Sequence, residues 1–169
     1  MTLSTLNAIS PIDGRYHKKT QSLNAYFSEY ALIYYRLTVE IAWFKSLSHN
    51  PDLPEIPKFS AKAYQFLEAL LIEFNEEEAL EVKALEKTTN HDVKAVEYYL
   101  KHKISQHDEL KQSCEFVHFA CTSEDINNLA YALMMKEAIA QVIQPTLAEI
   151  IGGITLLGKQ HADVAMLSR

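Results

Sequence analysis

The sequence predicts an all-α protein, and three observations carry that prediction. Its 169 residues include only 4 Gly and 5 Pro, too few for a turn-rich β-sandwich and compatible with long helices. Several segments set apolar residues at helical spacing directly behind a capping residue. No stretch reads convincingly as a strand. Apolar residues make up 48% of the chain, as in ordinary soluble globular proteins, and the length suffices for one domain with a real core or one domain plus part of another.

Residues 1–26 read as irregular, with a turn signal at "SPIDGRY" (10–16). Pro11 fixes φ, Asp13-Gly14 turns the chain, and Arg15-Tyr16 follows. Ser28 then caps a long helix to about Ser48, with Leu32, Tyr35, Val39 and Ala42 on one face. Residues 49–59 hold Pro51, Pro54 and Pro57 and form a connection. Ser60 caps a helix to about Phe74. Asn75 opens another, because Glu76, Glu77 and Glu78 suit the positive end of a helix; it runs to about Lys87.

In "TTNHDVKAVEYYL" (88–100), Val93, Val96, Leu100 and then Ile104 mark an amphipathic helix that starts after His91 and reaches about Ser105, capped by Asn90. The polar stretch 105–111 links two units, and the apolar "SCEFVHFA" (113–120) suits a short helix. Ser123, with Glu124 and Asp125 in the first turn, caps a strong helix over 122–143. Pro145 should kink or restart it. A last helix over 145–161 carries Gly152, Gly153 and Gly158, each costing about 1 kcal/mol against Ala. These glycines either permit close helix contact or are simply tolerated.

The totals exclude some functions. A net charge of −6 argues against a nucleic-acid-coating surface, although a small anionic ligand needs only local positive charge. The first basic residue is Arg15, so the charged-then-apolar order of a signal peptide is missing. No apolar run is expected to span a bilayer. Two cysteines, Cys114 and Cys121, fit a reducing cytoplasm better than a disulfide scaffold. Catalytic-triad, P-loop and dinucleotide-binding patterns are absent from the sequence.

Two helix N-termini stand out, at Asn90-His91-Asp92 and at Thr122-Ser123. Each offers unpaired backbone N–H groups and partial positive charge to a phosphate or carboxylate. His91 can donate to an anion or move a proton. Plain capping by Asn90 and Ser123 accounts for the same pattern and is favoured on pattern alone, because Asp92, Glu124 and Asp125 already complement the dipoles. Arg15 can grip phosphate with two N–H groups and Tyr16 can add one hydrogen bond, but a surface Arg reads the same way. Cys114, His118 and Cys121 fall at i, i+4 and i+7, on one face if the segment is helical. A structural zinc site needs a fourth ligand and none is adjacent, so buried thiols are the favoured reading.

Three longer strings carry more. "SPIDGRY", "KTTNHDVKAVEYYL" and "EFVHFACTSEDINNLAYALM", in this order and spacing, resemble the bacterial-type adenylosuccinate lyases of the fumarase/aspartase superfamily, from about residue 8 to Arg169. The resemblance implies an all-α fold, with residues 1–111 as a helical N-terminal domain and 112–169 as the first long helices of a central bundle. It implies β-elimination of fumarate from adenylosuccinate, giving AMP, and from the succinylated aminoimidazole carboxamide ribotide of purine biosynthesis. In such a reaction a base removes a proton beside a carboxylate and an acid protonates the departing nitrogen. The substrate brings about three to four negative charges, more than one Arg can neutralise.

By motif, Arg15 and Tyr16 match the family's nucleotide-binding pair. Asn90, His91 and Asp92 match its substrate-binding segment, with His91 assisting the chemistry. Thr122 and Ser123 match the pair that binds the succinyl part, and His118 matches a further site histidine. The resemblance implies no cofactor and no metal, a small-molecule substrate, a cytoplasmic homotetramer, and neither nucleic acid nor membrane as partner. It also implies that the principal acid and base come from beyond Arg169, so that this chain alone is inactive. The alternatives are another lyase of the superfamily, such as an argininosuccinate lyase, and a non-catalytic helical interaction module.

Overall fold

The computed structural model describes residue 9 and residues 13–167, with side chains from residue 16 onward in the first helix. Among the described residues there are helices and no strands. The first is α1, Asp13–Thr20, followed by a 3-10 turn, Gln21–Leu23, and the short α2, Asn24–Phe27. This corrects the irregular reading of that region. Asp13-Gly14 opens a helix, with His17, Lys18 and Lys19 in its last turn, where positive charge complements the dipole. Residues 10–12, which carry the rest of the turn signal, lie outside the described residues.

The helix α3, Glu29–Leu47, is the centre of the molecule. Ser28 caps it as the sequence predicts, its Oγ accepting from the Ala31 N–H at 3.1 Å. Burial does not follow one stripe. Ala42 is exposed, whereas Ile33, Leu37, Ile41 and Phe44 are buried on one side and Ala31, Tyr35 and Val39 on another. A helix apolar most of the way round is one enclosed by neighbours.

On the first side α3 meets α4 (Ala61–Ile72), α5 (Glu76–Thr89) and α6 (Asp92–Ser105) through Leu67, Val82, Val96, Tyr99 and Leu100. Ser60 caps α4, and Asn75 Oδ1 caps α5 by accepting from the N–H groups of Glu77 and Glu78 at 2.9 and 3.2 Å. On the other side α3 meets α7 (Ser123–Ala138) through Ile126, Ala130 and Met134. Burying this many large apolar side chains, at ~1.5–3 kcal/mol each against exposure, holds the assembly together.

The segment before α7 departs from the predicted short α-helix. A 3-10 stretch covers Leu110–Phe116, and His118 and Ala120 then take left-handed φ of 62° and 58°. Left-handed backbone breaks helical spacing, so Cys114, His118 and Cys121 do not share a helix face. Cys114 donates to the Lys101 carbonyl, and among the described residues no group of metal-binding side chains assembles.

Of the two outcomes expected at Pro145, a kink or a restart, the helix does not restart; its irregularity falls just before the proline. A π-helical segment, Ile139–Ile143, joins α7 to α8, Gln144–Gln160, and the whole runs 38 residues from Ser123 to Gln160. Proline removes one N–H donor, and the wider turn before it absorbs the loss. The Gln144 N–H reaches back five residues to the Ile139 carbonyl. Because the helix continues through Pro145, it is long and apolar enough by length and composition to cross a membrane, contrary to the expectation above. α8 has no buried residue, and Leu147, Ile150, Ile151, Ile154 and Leu157 are exposed on it. Nothing lies within 4 Å of a Cβ added at Gly152, Gly153 or Gly158, so these glycines serve no close contact within this chain.

Candidate functional site

Asn90 is not the cap of α6. It ends α5 in the left-handed conformation, φ 50°, and its N–H donates to the Glu86 carbonyl. One left-handed residue reverses the chain, and Asn tolerates it better than most side chains. The cap of α6 is His91, with extended backbone, whose Nδ1 accepts from the Lys94 N–H at 3.3 Å. A ring nitrogen that accepts carries no proton, so in the neutral imidazole the proton sits on Nε2. That Nε2 faces Ser123 Oγ at 3.4 Å.

At the other helix N-terminus Thr122 is the cap, not Ser123. Asp125 reaches back to accept from the Thr122 N–H at 2.8 Å, which leaves the Ser123 hydroxyl free of capping duty and turned toward His91. The structure thus brings together two of the sequence clusters, 32 residues apart in the chain. Tyr16 lies on α1 and is about 42% exposed. The Arg15 side chain lies outside the described residues.

Two charged side chains of α3 serve this region, and sequence reasoning missed both. Arg36 is 3% exposed. Its guanidinium donates to Asp92 Oδ2 at 2.6 Å and, through Nε, to Asn127 Oδ1 at 2.9 Å. Burial opposes ionisation of Asp92, but the Arg36 charge and the Val93 N–H outweigh it and hold the carboxyl below its ordinary range. One turn on, Glu40 is fully buried, and His118 Nδ1 lies 2.6 Å from its Oε1. Burial raises the Glu40 carboxyl above the usual value, against the opposing pull of His118. A signal did exist: Arg36 stands between Tyr35 and Leu37, and Glu40 between Val39 and Ile41, charges set in an otherwise apolar run.

A cleft of about 490 Å³ opens beside Arg36, Asn90, His91 and Asp92, with Lys83 and Lys87 on its far wall. Lys83 is held by Glu29 at 2.9 Å and Glu86 at 2.6 Å, while Lys87 is exposed at the edge. A larger cleft of about 590 Å³ between α3 and α7 is lined chiefly by apolar groups such as Val39, Trp43, Ile126 and Leu133. The first is the charged one, with Arg36, Lys83 and Lys87 set beside Glu29, Glu86 and Asp92 in its lining. Chemically, the site supplies an imidazole with a hydroxyl beside it, while the Val93 and Lys94 N–H groups at the start of α6 are taken by Asp92 and His91.

A helical segment with this paired N-terminal site matches a family model described as a lyase over residues 14–169, and the chain belongs to that lyase family. Among curated relatives, the adenylosuccinate lyase of Legionella pneumophila strain Corby is 68% identical over all 169 residues. The adenylosuccinate lyases of Vibrio cholerae O395 and Escherichia coli K12 are 52% and 49% identical over the same span. In each case the chain is covered completely and spans 37% of the relative's length.

Proposed function

We propose that this chain is the N-terminal part of an adenylosuccinate lyase, which eliminates fumarate from adenylosuccinate and from the succinylated aminoimidazole carboxamide ribotide. The observation that carries the reading is the meeting of His91 Nε2 with Ser123 Oγ at the ends of two helices. The identity of 68% over the whole chain to a relative of that name supports it.

In this reading Asn90, His91 and Asp92 on one helix end bind substrate, and Thr122 and Ser123 on the other hold its succinyl part. Arg15 and Tyr16 hold the nucleotide. The elimination breaks a C–H bond beside a carboxylate and the C–N bond, and forms the C=C bond of fumarate. His91, with its proton on Nε2, donates a hydrogen bond to a developing negative charge. The principal base and acid come from the part of the relatives that this chain does not span. Residues 1–111 then form the N-terminal domain and 112–169 begin the central bundle, where apolar side chains of α8 meet helices of the same protein and of its partners in a homotetramer. The enzyme works in the cytoplasm, without cofactor.

The test is fumarate release by the full-length protein carrying these residues, with adenylosuccinate as substrate. Release that depends on His91 is expected. A folded protein that releases none, with either succinylated substrate, overturns the reading.

A further inference from the structure

We propose that Arg36 and Asn127 form a positioning clamp that sets the distance between His91 and Ser123; the inference rests on the function proposed above. His91 and Ser123 belong to different helices, and no backbone hydrogen bond joins the start of α6 to the start of α7 among the described residues. Val93 shares an apolar cluster with Ile126 and Ala130, but apolar packing is not directional and does not aim the polar pair. Arg36 lies between them on α3 with its side chain 4% exposed. Its terminal nitrogen donates to Asp92, the first residue of α6 and the neighbour of His91. Its Nε donates to Asn127, one turn into α7 from Ser123.

A guanidinium is planar and its donors are fixed in direction, so two acceptors bound to one guanidinium are fixed relative to each other. Here those acceptors stand on the two helices that carry the paired site residues. The partners also satisfy a buried charge that would otherwise be costly, which keeps the clamp closed. Neither Arg36 nor Asn127 needs to touch substrate. Both act through the His91–Ser123 separation, to which a reaction of fixed geometry is sensitive.

The experiment uses two variants of the full-length lyase. Arg36→Lys keeps the charge but cannot span both acceptors. Asn127→Ala removes one arm at a half-buried position where refolding of the core is not required. Each is expected to lower kcat by about tenfold or more, with KM changed less than kcat. Each substitution is then repeated in a His91→Ala background, where the clamp has nothing left to position and its effect should shrink to less than about twofold. Carbethoxylation of His91, read by peptide mass spectrometry against His102, should speed up severalfold in both clamp variants. Equal losses in the two backgrounds, or an unchanged His91 modification rate, overturn the proposal. If the wild-type protein releases no fumarate, the proposed function fails, and the modification rate alone decides whether the clamp exists.

Discussion

Replacing His91 by Asn and, separately, by Ala divides its two roles. His91 caps α6 through a 3.3 Å hydrogen bond. That is longer than the usual ~2.9–3.0 Å, so the cap sits at the low end of the range, about 0.5–1 kcal/mol. In a protein of 169 residues that is a fall of about 1–4 °C in Tm for His91→Ala, and less in the longer full-length protein. Asn is among the best N-caps, so His91→Asn should unfold within about a degree of wild type. Both variants lose the Nε2 proton that faces Ser123. If the imidazole assists the elimination, both lose about 10²–10⁴ in kcat, or ~2.7–5.4 kcal/mol of transition-state stabilisation, several times the capping term. Fumarate release and thermal unfolding on the same full-length samples measure the two quantities. Near-normal turnover in His91→Asn, with the modest Tm loss confined to His91→Ala, would reduce His91 to a cap and refute the reasoning.

Further outcomes follow from other parts of the molecule. Asp92 has a carboxyl depressed in the folded state, so its contribution to stability is present above the ordinary Asp range and lost as pH falls through the folded value. The Tm gap between wild type and Asp92→Asn should therefore be widest near neutral pH and close in acid; a constant gap would count against the Arg36 pairing. Asn90→Gly suits the left-handed backbone and should leave Tm almost unchanged, whereas Asn90→Val should cost about 1–2 kcal/mol. If Asn90 also binds substrate, the Gly variant loses activity without losing stability, seen as a raised KM. Leu37 is completely buried in α3, and Leu37→Ala should destabilise by about 2–5 kcal/mol in denaturant unfolding. The isolated 169-residue chain should release no fumarate from adenylosuccinate, because one histidine cannot serve both proton transfers; turnover abolished by His91→Ala would contradict this.

The sequence by itself determined the helices from Ser28 to Ser105 and the start of the helix near Thr122. These depend on local chemistry, a hydroxyl or amide oxygen meeting the first N–H groups and apolar residues recurring behind it, and Ser28, Ser60 and Asn75 cap as their positions imply. Where two local rules compete, the sequence could not choose. Asn90 suits either a cap or a left-handed helix end, and the antiparallel packing of α5 on α6 selects the second and passes the cap to His91. Ser123 yields the cap to Thr122 because Asp125 folds back. The length of the last helix depended on whether a wider turn would absorb Pro145, which composition does not reveal.

Only the tertiary structure decided what the polar residues meet. The contacts of Arg36 with Asp92 and Asn127 span 56 and 91 residues, and that of Glu40 with His118 spans 78. No periodicity within one helix encodes such distances. They arise because α3 is enclosed on more than one side, so charges within its apolar run must find partners on other elements. The same enclosure brings the ends of α6 and α7 together, so that His91 and Ser123 meet.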